Sequence, residues 1–160
     1  SGDQPMWRRD AHDRRGGRAA WCAARLAARQ MTAQRSGLVV NISYWAAQKL
    51  MGNPVYGMSK AMADKVAADI AVQMREFGVS AISLYPGLVR TELVLENAEH
   101  FDMSNSESPQ FIGRAVTHLA ADPDLLQKSG HVLVAAQVAL DHGFTDIDGY
   151  QPRPLTLETA

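Results

Sequence analysis

Three short runs of β-branched and aliphatic residues alternate along the chain with longer stretches of helical period. The runs are Leu38-Val39-Val40-Asn41-Ile42-Ser43, Ser80-Ala81-Ile82-Ser83-Leu84-Tyr85 and His131-Val132-Leu133-Val134-Ala135-Ala136. Their length and flanking turn residues predict buried strands at about 38–43, 80–85 and 131–136. From Gly17 to Gln34, Ala20, Ala24, Leu26, Ala27 and Met31 recur on one helical face while Arg18, Arg25 and Arg29 project elsewhere, and Ser36-Gly37 ends the helix. A second helix is expected from Pro54 to Phe77, stopped by Gly78. It carries two stripes of four-residue spacing: Met58, Met62, Val66, Ile70 and Met74, read as core, and the small set Ser59, Ala63, Ala67 and Ala71. Small residues at that spacing let another helix approach closely, either the Ala-rich first helix or its copy in a second subunit. Ser108-Pro109 opens a third helix as N-cap and first helical residue, with Phe111, Ile112, Ala115, Val116 and Leu119 on its buried face.

The remainder reads as connections. Residues 44–53 are a loop, and residues 88–108 are a polar, acidic loop with a short helix at 92–98. The tail beyond Asp141 is irregular. Helix and strand alternate strictly, which predicts an α/β fold with a parallel sheet and right-handed crossovers. Three layers and one domain at 17–150 follow, with a poorly ordered basic leader at 1–16 and an irregular end at 151–160.

Composition narrows the class. The 160 residues are 46% hydrophobic, enough for one domain with one core. Net charge is −1, so the chain as a whole is no basic nucleic-acid binder. Eight Arg against three Asp sit within residues 1–35, without the aromatic interleaving of a nucleic-acid module. No apolar run approaches the roughly 20 residues of a membrane span. The single cysteine, Cys22, rules out an intrachain disulfide, reads as a small buried apolar residue, and fits a reducing, cytoplasmic setting. The five His have no metal-ligand spacing, and Asp146-Ile147-Asp148-Gly149 reads as a turn.

The most informative element is Tyr56-Gly57-Met58-Ser59-Lys60 at the start of the second helix. Residues four apart lie one above the other on a helix face. A phenol titrates near 10, and a neighbouring ammonium favours its ionised form, which makes a tyrosine usable for proton transfer. Thirteen residues earlier a strand ends in Ser43, and Pro86-Gly87 cuts off the next strand. Ligands of parallel sheets gather beyond such strand ends.

With Asn41-Ile42-Ser43, Tyr56-Gly57-Met58-Ser59-Lys60 and Pro86-Gly87-Leu88-Val89-Arg90-Thr91-Glu92 in order, the chain resembles the short-chain dehydrogenase/reductase family over about residues 17–150. The resemblance implies the C-terminal half of a Rossmann-like domain and an oxidoreductase that interconverts carbonyl and alcohol with NAD or NADP. It implies that Tyr56 is the proton donor or acceptor and that Lys60 lowers the Tyr56 pKa and binds the nicotinamide ribose. Ser43 would hold the substrate oxygen, though counting forward from Gly37 puts Tyr44 at that place. Pro86, Gly87, Val89 and Thr91 would border the nicotinamide and its phosphates. Leu93, Leu95, Phe101 and Met103 would line a partly apolar site for a small-molecule carbonyl or alcohol.

Two features depart from the family pattern. The 160 residues contain no Gly-x-x-x-Gly-x-Gly loop of the kind that cradles a pyrophosphate, and no Asn precedes Asn41. The alternative to an oxidoreductase is therefore a catalytically inactive, truncated member acting as an oligomerising module. Either way, a homodimer through helices at about 17–35 and 54–77 is expected.

Overall fold

The computed structural model describes residues 10–160. Six helices run over Asp10–Gln34 (α1), Pro54–Met74 (α2), Glu92–Glu96 (α3), Pro109–Ala120 (α4), Leu125–Lys128 (α5) and Ala135–His142 (α6). Three strands, Gly37–Ile42 (β1), Val79–Tyr85 (β2) and Val132–Val134 (β3), form one parallel sheet in the order β1-β2-β3. Gly37 pairs with Val79 and Ile42 with Leu84, so β1 and β2 end at the same level.

Alternation along β2 sorts the two faces of the sheet. Ile82 and Leu84 pack with Phe111, Ala115 and Leu119 of α4 and with Ala135, Ala136 and Val138 of α6. Ala81, the residue before Ile82, packs on the other face with Ala24 of α1 and with Ile70 and Ala71 of α2. All seven β2 residues are buried, as a central parallel strand covered on both sides must be. The three expected layers are therefore present, with α1 and α2 on one face and α4 and α6 on the other. The second edge of β1 pairs with no strand among the described residues.

Several expectations need correction. Of the proposed leader, residues 1–9 lie outside the described residues, whereas Asp10 onward belongs to α1. No apolar period announces the helix over this stretch. α2 ends at Met74, and residues 75–77 form a tighter 3₁₀ turn before Gly78, whose φ of +69° suits glycine. β3 stops at Val134 because its partner β2 runs into Pro86, which has no N–H to extend the ladder. Ala135 and Ala136, expected in the strand, open α6 instead, which runs to His142 and so takes in only the first two residues of the expected irregular tail.

The methionine stripe of α2 is core only in its second half: Ile70 is buried with Val66 and Met74 packed against the same cluster, whereas the first half faces outward. Met58 and Met62 are 70% and 44% exposed, while Ala63, Ala67 and Ala71 are buried. Leu26 and Cys22 on α1 are also exposed rather than packed. Small side chains let the α1, α2 and sheet backbones approach closely, and Met74 fills the end of that layer, where the Thr32 hydroxyl of α1 donates to its sulfur at 3.8 Å.

This packing predicts opposite outcomes for two substitutions on one helix. Ala71→Leu forces extra methylenes into the Ala24–Ile70–Ala81 cluster and should cost about 1–3 kcal/mol. Met58→Ala, on the exposed face, should stay within about 0.5 kcal/mol of the parent. Urea unfolding midpoints of the two variants check both values.

Candidate functional site

The site forms where β1, β2 and α2 converge. Beyond β1 the ladder continues for one bond, Ser43 N–H donating to the Leu84 carbonyl at 3.0 Å. The chain then makes a 3₁₀ turn over Trp45–Ala47 and reaches α2. Asn53 caps α2, its side-chain oxygen accepting from Val55 N–H at 2.8 Å, and Pro54 occupies the first turn. Gly57 is required by a close approach: a Cβ there would stand 2.9 Å from the Ala46 carbonyl oxygen. The helix start thus presses on the 3₁₀ turn, with Tyr56 and Lys60 held above the strand ends.

The Lys60 ammonium lies 5.5 Å from the centroid of the Tyr56 ring and donates to the Ile42 carbonyl at 3.3 Å. Both side chains line an open cavity of about 620 Å³. Ser43 and Tyr44 border it from β1, Pro86, Gly87 and Val89 from the end of β2, and Phe101 from the following loop. Of the candidate residues, Ser43, Tyr56, Lys60, Pro86, Gly87 and Val89 are brought together here. Thr91 lies outside the lining and caps α3, its hydroxyl accepting from Val94 N–H at 3.4 Å. Leu93 and Leu95 on α3 are exposed.

Three carboxylates that the sequence did not point to as part of the site support this arrangement. Glu107 is buried and accepts from Gly87 N–H at 2.8 Å through Oε2. Its backbone brackets the same loop, donating to the Leu88 carbonyl and accepting from Arg90 N–H, each at 2.8 Å. Behind it, buried Asp146 accepts from Ser108 N–H at 2.7 Å, from the Ser108 hydroxyl and from Arg90 at 3.0 Å. Burial pushes the Asp146 carboxyl up, but these bonds outweigh it and hold the group below the usual carboxylate range. Beneath the cavity the Tyr85 hydroxyl donates to Asp64 of α2, and Trp45 meets the Tyr85 ring edge-on at 5.2 Å. Burial first, then the Asp64 bond, keeps the Tyr85 phenol protonated. Asp64 was legible only as one more acidic residue on α2, while Glu107 was hidden beside the Ser108 cap.

The comparisons with known proteins bear on this geometry. The family model for short chain dehydrogenases matches residues 18–101. The mouse protein "Dehydrogenase/reductase SDR family member 1" is 40% identical over 135 residues, which is 76% of this chain and 43% of that protein. This chain belongs to the short-chain dehydrogenase/reductase family. It spans less than half the length of that curated relative. Among solved structures, a short chain dehydrogenase/reductase family protein is 30% identical with a TM-score of 0.62, covering 73% of this chain and 51% of that one. ElxO with NADP bound shares the fold at 20% identity and a TM-score of 0.63, over 72% of this chain and 51% of its own. As in the other members of the short-chain dehydrogenase/reductase family, the architecture is α/β and Rossmann-like. No helix of the described residues is long and apolar enough to cross a membrane.

Glu107 gives the site a pH signature. Burial raises its carboxyl from 4.5 to about 7, with the Gly87 bond opposing, Asp146 adding and Arg90 opposing. A raised carboxyl binds its proton more tightly folded than unfolded, so stability is full below pH 4.5 and falls as pH rises towards about 7. The loss amounts to about 3 kcal/mol at most. Glu107→Gln keeps an acceptor for Gly87 N–H and should flatten this dependence. Urea midpoints at about pH 5 and about pH 8 should diverge for the parent and coincide for the variant.

Proposed function

We propose that the chain carries the reacting centre of an NAD- or NADP-dependent oxidoreductase that interconverts a small carbonyl compound and its alcohol. The observation that supports this most is the placement of Tyr56, Lys60 and the Pro86–Val89 turn around one cavity at the C-terminal end of a parallel sheet. The largely apolar border, with Met51, Leu88, Val89 and Phe101, suits a substrate with an apolar body. A cytoplasmic location goes with this reading.

A nicotinamide, when bound, supplies or accepts the hydride. The fit of this chain to it is partial. Of the residues lining the cavity, Lys60 would hold the nicotinamide ribose, and Pro86, Gly87 and Val89 would border the nicotinamide. The 160 residues offer no glycine-rich cradle for the pyrophosphate. The chain's own residues divide the rest of the work. Tyr56 gives its hydroxyl proton to the carbonyl oxygen as that oxygen becomes an alkoxide, and takes it back in the alcohol direction. The Lys60 ammonium stabilises the negative charge this leaves on the phenol oxygen. Its bond to the Ile42 carbonyl fixes the ammonium at the strand end.

A homodimer is part of this reading. Trp21 and Leu26 on α1, and Met58, Met62 and Val72 on α2, are large apolar side chains exposed along the two helices expected at the contact. A second reading is an oligomerising module without turnover. It keeps the dimer and loses the chemistry.

The two readings separate in one experiment. Reduction of phenanthrenequinone is followed by loss of nicotinamide absorbance with NADPH and with NADH. The oxidoreductase reading expects turnover with at least one of them, and a drop in kcat of about 10²–10⁴ on Tyr56→Phe. Absence of both turnover and nicotinamide binding decides for the module, and undiminished turnover in Tyr56→Phe removes Tyr56 from the chemistry.

A further inference from the structure

Residues 150–160 join two borders of the cavity. Phe101 and Asp102 line it from the loop after β2, Met51 lines it from the loop before α2, and Ala160 lines it with them. The segment is tied at both borders. Three residues beyond Asp102, the Asn105 side chain donates to the Arg153 carbonyl at 3.0 Å and accepts from Arg153 N–H at 2.8 Å. The Tyr150 hydroxyl donates to the Ser104 carbonyl at 3.1 Å, and Pro152 is fully buried. Two residues before Met51, the Lys49 ammonium donates to the Leu157 carbonyl at 2.8 Å and also to the Ala160 carbonyl. Arg153 and Leu157 are four residues apart, so these two anchors lie at most about 14 Å from each other.

The two attachments differ in kind. At Arg153 one side-chain amide pairs with both the N–H and the carbonyl of a residue that follows a buried proline. At the other end a single lysine holds a stretch whose residues Thr156 to Thr159 are all exposed. Among the described residues, no backbone–backbone bond ties 154–160 to another element. The stretch closes on itself instead. Thr156 N–H donates to the Thr159 hydroxyl at 2.8 Å, and Ala160 N–H to the Thr156 carbonyl at 3.0 Å. It therefore keeps its shape when the lysine lets go and moves as one piece. A stretch with little burial and one cation to hold it opens at far lower cost than the packed body of the fold.

We infer that residues 154–160 are a strap across the cavity, hinged at Arg153 and latched by Lys49, which sets the size of molecule that can enter. With the latch made, narrow ligands pass beside the strap. With it broken, Ala160 leaves the lining and a bulkier ligand fits. Lys49 is not among the residues lining the cavity, so it acts through the strap and is a positioning residue. The strap governs entry whichever reaction follows, and the inference stands apart from the role of Tyr56.

The test is thiol labelling of Leu88→Cys, at a position that lines the cavity, with exposed Cys22 as the reference in the same molecule. N-ethylmaleimide is the narrow probe and pyrenylmaleimide the bulky one, and peptide mass spectrometry reads the rate at each cysteine. In the Leu88→Cys protein the narrow probe should reach position 88 far more readily, relative to Cys22, than the bulky one. Adding Lys49→Met should raise the relative rate of the bulky probe by about tenfold, as when one bond to a charged group is lost. It should leave the narrow probe nearly unchanged. Lys49→Arg keeps a cationic donor and should keep the discrimination. Hydrogen exchange should quicken over 154–160 in Lys49→Met and stay slow at Arg153 N–H and along β2. Faster exchange over 154–160 without easier entry of the bulky probe overturns the gate. Unchanged exchange there in Lys49→Met overturns the latch. Equal entry of both probes with Lys49 in place, or easier entry accompanied by faster exchange along β2, overturns the inference as a whole.

Discussion

The site depends on how closely α2 sits on the sheet. Ala63, Ala67 and Ala71 present almost no side chain on the buried side of the helix, so its backbone comes within hydrogen-bonding reach of side chains from β1. Asn41 and Ser43 use that reach, each donating to a carbonyl of α2, at Ala63 and Lys60. From the end of β2, Tyr85 adds a third tie through Asp64. These contacts fix the height and rotation of the helix start, and with them the position of Tyr56 and Lys60 over the strand ends. A larger residue on the small stripe would lift the helix and break the ties together, which makes them a cooperative unit rather than three separate bonds.

The opposite wall of the cavity is held by a different device. Pro86 ends the central ladder, and the loop after it has no strand partner beyond a single bridge between Val89 and Glu107. Glu107 substitutes for a strand there, with its side chain on Gly87 and its backbone on Leu88 and Arg90. Asp146, from the far end of the chain, secures Ser108 and Arg90 in turn. Burying these carboxylates costs solvation: at Asp146 the bonds from Ser108, Ile147 and Arg90 outweigh that cost, whereas at Glu107 the bond from Gly87 N–H offsets only part of it. The two walls are therefore built differently: one by apolar close packing, the other by a polar network.

Much of this was legible in the sequence, and the reasons for the misses are physical. Strand positions and the parallel order follow from the β-branched runs and their alternation with helices. Tyr56, Lys60, Ser43 and the Pro86–Val89 turn are close in sequence to strand and helix ends, so topology alone brings them together. The close approach of the alanine stripe and the packing of Val66, Ile70 and Met74 were legible, but Met58 and Met62 were misplaced, because both stripes share one period and hydrophobicity alone puts the two methionines inside. Only the distance between backbones decides between them, and that is a property of the packed state. α6 was missed because Ala135 and Ala136 continue a β-branched run and become helical where the partner strand ends. The ties of Tyr85 to Asp64 and of Gly87 to Glu107 span 21 and 20 residues, beyond any local pattern.

The central claim is that a tyrosine and a lysine one helical turn apart are held face to face at the mouth of the sheet. Its most direct test is the ¹H–¹³C chemical shift of the Lys60 ε-methylene, which a neighbouring aromatic ring displaces when it lies over the ring face. The geometry predicts a ring-current shift in the parent that disappears in Tyr56→Leu. A Lys60 ε-methylene at its unstructured shift in the parent, or one indifferent to Tyr56→Leu, would contradict the account.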